Sequence, residues 1–134
     1  MATRSRLRAR IECSMSRTWE PISREALDAK VASDLDAASD EERARFASVA
    51  IPPQKWSQSP WGDEGGGFWA VAVHGDRVLW YNDIEEGFNV SCFETRGRSP
   101  DDEYWCNQDS LGIALRSLTG EFEPRLGPPE PVRE

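Results

Sequence analysis

Phe68-Trp69-Ala70-Val71-Ala72-Val73-His74-Gly75-Asp76-Arg77-Val78-Leu79-Trp80-Tyr81 is the stretch whose reading decides the fold. Two runs of β-branched and aromatic residues flank Gly75-Asp76, a dipeptide suited to a two-residue hairpin turn. Asp83 to Gly87 reads as a second turn, and Phe88-Asn89-Val90-Ser91-Cys92-Phe93 as a third strand. Its alternation puts Phe88, Val90 and Cys92 on one face and Asn89, Ser91 and Phe93 on the other. The result is an antiparallel meander over about residues 67–95. Trp69 and Trp80 sit near the middle of adjacent strands, so at least one of them is expected in the core.

Outward from the meander, the polar stretch from Arg96 to Asp102 leads to a short fourth strand expected near Tyr104. A helix is predicted from Gln108 to Thr119, with Asn107 as cap and Gly120 as stop. Leu111, Ala114, Leu115 and Leu118 give it one apolar stripe. Toward the N-terminus, residues 52–67 read as a loop of prolines and glycines that also carries Trp56 and Trp61, rings expected to fold back onto the domain. Before it, Ser39-Asp40-Glu41-Glu42 has the form of a capping box and opens a short helix ended by Pro52-Pro53. An earlier helix spans about residues 24–37: Ser23 caps it, Ile22 and Leu27 form a hydrophobic staple, and Leu27, Val31, Leu35 and Ala38 line one face. The fold class is α+β, a three- to four-stranded antiparallel meander with two N-terminal helices and one C-terminal helix packed on one face. The other face is expected to be wet.

The chain's 134 residues fit one domain. Residues 18–120 are expected to form it, between a disordered basic tail at 1–17 and a Pro-rich disordered tail at 121–134. The first tail holds Arg4, Arg6, Arg8, Arg10 and Arg17 against Glu12 alone, a net of +4, while the whole chain carries −8. The arginines alternate with period two and so do not fill a helical face as a transit peptide would. Met15 offers an alternative start. The preference for Arg over Lys (Lys30 and Lys55 are the only lysines) suggests a GC-rich bacterial coding sequence. Cys13, Cys92 and Cys106 form no disulfide framework, and reduced thiols in the cytoplasm are the simplest account. No run of residues approaches a membrane span. So acidic a domain repels phosphate backbones, which argues against nucleic acid, and it attracts basic proteins.

Four constellations bear on function. Cys92 or Cys106 with His74 would need a base in hydrogen-bond reach, and the motif is thin. The loop Gly62-Asp63-Glu64-Gly65-Gly66-Gly67 lacks the Lys and Ser/Thr of a phosphate loop and carries two carboxylates that repel an anion. The acidic turn Asp83-Ile84-Glu85-Glu86-Gly87 departs from calcium-loop spacing, so no metal or other cofactor is expected. The fourth is a polar–aromatic group: Trp80, Tyr81, Asn82, Asp83, Asn89, Tyr104, Trp105, Asn107 and Gln108, with Glu85 and Glu86 beside it. It suits a ligand pocket, a protein contact surface, or a set of structural caps.

Gly67 to Val73, Val78 to Ser91 and Tyr104-Trp105-Cys106-Asn107-Gln108-Asp109 resemble a signature of small uncharacterised bacterial proteins, over about residues 55–118. The resemblance implies no activity, cofactor or catalytic residue. Two readings of function stand. One is a non-enzymatic acidic protein, of immunity or antitoxin type, that engages a basic protein. The other is a small-molecule-binding protein or hydrolase with a polar–aromatic pocket.

Overall fold

In the computed structural model, residues 20–120 and Gly127 are described, and the expected tails lie outside them apart from Gly127. Helix α1 runs Arg24–Asp36 and α2 Asp40–Val49; strands follow at β1 Ala50–Trp56, β2 Phe68–His74, β3 Arg77–Asn82 and β4 Gly87–Cys92, and α3 spans Leu111–Leu118. The sheet is a four-stranded antiparallel meander in the order β1-β2-β3-β4. The fold is α+β, and no helix among the described residues is long and apolar enough to cross a membrane.

Local chemistry sets the helix starts. Ser23 Oγ accepts from Ala26 N–H, and Ser39 and Glu42 form the reciprocal capping box. Ile22 and Leu27 both pack into the same core, as the staple requires. That core lies on one sheet face, where Leu79, Tyr81, Phe88 and Val90 meet Leu27 from α1 and Leu111, Leu115 and Leu118 from α3. Asp34 of α1 accepts from Leu111 N–H at 2.9 Å, so α1 satisfies a free amide at the start of α3.

Three features depart from the sequence-based expectation. The fourth strand is β1, from a stretch read as loop, and not a strand near Tyr104. Its Pro52 and Pro53 fall in the irregularity between the pairs Ala50–Ala72 and Gln54–Ala70, on the sheet edge, where a missing N–H breaks no ladder. Helix α3 starts at Leu111, later than expected, and its cap is Ser110 rather than Asn107, because Asn107 is engaged elsewhere. The second sheet face is not wet. Trp56, Phe68, Ala70, Val78, Trp80 and Tyr104 form a second core under the loops at 57–67 and 93–109. Trp80 is buried and Trp69 half-buried against the helical core. Its rings stack close, with Phe68–Trp80 centroids 4.8 Å apart and Trp80–Tyr104 5.9 Å.

Candidate functional site

Strand alternation divides the polar–aromatic group between two faces. Tyr81 points into the helical core, while Trp80 and Asn82 point to the loop-covered face. There the polar residues serve mainly one another. Asn82, fully buried, donates through Nδ2 to Tyr104 Oη and to the Trp105 carbonyl, each at 3.0 Å. Its Oδ1 accepts from the N–H groups of Ile84 and Glu85 at 3.0 and 3.1 Å, which shapes the β3–β4 turn. Asn89 donates to the Asn107 carbonyl and accepts from Asn107 N–H. Asn107 Nδ2 donates to Asp109 Oδ2. Trp80 Nε1 donates to Ser91 Oγ at 2.8 Å, and Ser91 in turn donates to the Glu103 carbonyl at 2.6 Å. These bonds lay residues 103–109 along β4, so most of the group holds a loop to a sheet. Trp105 is half-buried, and Gln108 is exposed and donates to the Glu85 carbonyl.

The loop ends of the strands have a different character. Phe68 pairs with Trp56, and Trp69 with Tyr81, so loop 57–67 and turn 83–86 lie at one end of the sheet. Together they carry Asp63, Glu64, Asp83, Glu85 and Glu86, with no lysine or arginine. Two bases border loop 57–67, Lys55 and Arg98. Lys55 Nζ donates to the Gly65 carbonyl at 2.6 Å and lies over the Trp69 ring, and the backbone of Arg98 pairs with Ser57. Two large apolar side chains stand out from this end: Trp61, 42% exposed, and Ile84, 39% exposed. Trp61 is stacked on Tyr104 at 4.9 Å. Sequence reasoning named neither as a site residue. A usable signal was present for Ile84, an apolar side chain at the tip of an otherwise acidic turn.

Burial dominates the titration of this region. It raises Asp83 above its ordinary value, against the lowering effect of Ile22 N–H and Lys55. Burial, with Glu86, Asp83 and Asp34 nearby, pushes Tyr81 up to about 12. Tyr104 is also raised well above the usual phenol value, chiefly by burial.

The geometry does not assemble a cysteine–histidine pair. His74 and Cys92 both lie opposite or alongside Arg77 in one cross-strand row, two strands apart. At about 4.8 Å per strand that is roughly 10 Å between backbones. Cys106 packs on the other face. Among the described residues, no three His, Cys, Asp or Glu side chains converge as a metal site would require. A cavity of about 10 Å³ lies beneath Trp56, Phe68 and Trp80. An open groove of about 340 Å³ is lined by Glu94, Thr95, Arg98, Pro100, Asp101 and Asp102. Comparisons with family models, curated proteins and solved structures returned no match.

Proposed function

We propose that the chain is a non-enzymatic binding protein whose acidic loop end engages a basic protein, as an immunity protein or antitoxin engages its toxin. The observation that carries this reading is the joint display, at one sheet end, of five carboxylates on two loops that carry no base of their own, and of Trp61 and Ile84. Charge steers the encounter, and a desolvated aromatic anchor supplies much of the affinity in such interfaces. The pocket reading draws less support, because Asn82, Asn89, Tyr104 and Asn107 are buried and bonded to one another or to the backbone. Cys92 and Cys106 carry no disulfide, which fits a reducing bacterial cytoplasm.

The test is a pull-down from the source cell followed by binding kinetics at two salt concentrations. The variant D63N/E64Q/E85Q/E86Q is expected to slow association about tenfold at low salt, with a smaller change in dissociation. The gap between variant and wild type should shrink at high salt. Recovery of no protein, with a metabolite co-purifying stoichiometrically, overturns the reading.

A further inference from the structure

The chain carries a basic segment of its own, and the fold tethers it at the acidic end. Ile22 is held from both sides: its N–H donates to Asp83 Oδ2 at 2.7 Å, and its carbonyl accepts from Trp69 Nε1 at 3.1 Å. Asp83 belongs to the same turn as Ile84, Glu85 and Glu86. The five arginines of residues 1–17 therefore join the domain beside the carboxylates. At about 3.5 Å per residue, Arg17 reaches roughly 17 Å from Ile22 and Arg4 roughly 60 Å. That span covers both acidic loops. Trp61 adds a specific feature, an exposed indole stacked on Tyr104. Trp is the ring over which a guanidinium stacks best.

We propose that Arg4, Arg6, Arg8, Arg10 and Arg17 occupy the acidic loop end in cis, so that the chain's own basic segment competes with a basic partner for Trp61 and the flanking carboxylates. This rests on the binding surface proposed above and adds to it a built-in competitor. A short tether gives an effective concentration on the order of 1 mM. With an intrinsic affinity of about 0.1 mM, the segment occupies the surface in about nine molecules of ten and weakens an outside ligand about tenfold.

The experiment compares the full wild-type chain with R4Q/R6Q/R8Q/R10Q/R17Q, using a synthetic deca-arginine peptide as probe. Calorimetry at about 0.15 M salt limits general charge attraction to a Debye length of about 8 Å. The peptide is expected to bind the five-arginine variant about tenfold more tightly. Amide signals of Trp61 to Glu64 and Ile84 to Glu86 should move on the substitution alone, and those of His74 to Asp76 at the opposite end should not. In a D63N/E64Q/E85Q/E86Q background the arginine substitutions should have no effect, whereas a mere change in net charge would act there too. Equal affinities for wild type and the arginine variant, with the peptide shifting the loop amides in both, overturn the cis competitor and leave the surface standing. A peptide that shifts no loop amide in either protein overturns both.

Discussion

Replacing Asn82 with Ala tests whether the polar–aromatic group is scaffold or ligand site. Asn82 makes four side-chain hydrogen bonds from a fully buried position. The variant removes the Nδ2 donor from Tyr104 Oη, itself buried, and from the part-buried Trp105 carbonyl. The Ile84 and Glu85 amides sit in a surface turn, where water can replace Oδ1 at little cost. Two lost hydrogen bonds to buried acceptors at about 1–2 kcal/mol each predict a loss of about 3 kcal/mol. With a urea slope of about 1.5 kcal/mol per molar, the unfolding midpoint falls by about 2 M. Tyr104→Phe removes one of the four bonds with its acceptor and leaves Asn82 Nδ2 its bond to the Trp105 carbonyl. It should cost about 1 kcal/mol, and the double variant should cost less than the sum of the two. Equilibrium urea unfolding followed by tryptophan fluorescence measures all three. A loss below about 0.5 kcal/mol for Asn82→Ala refutes the scaffold role. A loss of ligand binding with stability intact would point instead to a pocket.

Two further outcomes follow from close contacts and burial. Gly87→Ala places a methyl against the Asn107 carbonyl and the Gln108 backbone, atoms that cannot rotate away, so a loss of about 3 kcal/mol in the same unfolding assay is expected; wild-type stability would show that residues 107–108 do not lie against β4. Asp83→Asn concerns pH: burial raises the folded-state value of Asp83 above its ordinary 3.8, so the folded chain holds that proton to higher pH than the unfolded chain does. The group's contribution favours the fold fully below the unfolded value and is lost as pH rises through the folded value. Asn keeps an acceptor for Ile22 N–H, so the stability of D83N relative to wild type should rise from about pH 3.8 upward and then level off. A difference that is flat or falls with pH, measured by unfolding at stepped pH, would contradict this.

What the chain discloses in advance follows from where its information is local. The hairpin at Gly75-Asp76, the alternation of Phe88 to Phe93 and the Ser caps of α1 and α2 are short-range features, and each was legible and occurs as read. Strand β1 was hidden because Pro52 and Pro53 are strong local breakers, and only the sheet's edge, a non-local fact, makes them harmless. The cap of α3 was misassigned for a similar reason. Asn107 and Ser110 are both good caps, and what removes Asn107 is its engagement with Asn89, eighteen residues away, and with Asp109. In the candidate site, composition picked out the right neighbourhood but not the direction of its side chains. Period-two alternation already separates Tyr81 from Trp80 and Asn82, and the inward aim of Asn82, Asn89 and Asn107 depended on a loop cover that no local pattern encodes.

That cover narrows where function can sit. Helices close one sheet face and loops close the other. Prolines blunt the β1 edge, and on the β4 edge Phe88 N–H donates to the Asp109 carbonyl and Cys92 N–H to Glu103 Oε1. A sheet closed on both faces and guarded at both edges offers partners mainly its ends. At the hairpin end lie His74, Asp76 and Arg77, with mixed charge, and Arg77 donates to the Ser117 carbonyl at the close of α3. At the other end lie five carboxylates and two exposed apolar side chains, shared between loop 57–67 and the turn at 83–86, which Asn82 braces from within. The buried amide network and the acidic surface are thus two layers of one arrangement. The inner layer fixes the turn, so that Ile84, Glu85 and Glu86 would have little ordering left to lose on binding the proposed partner.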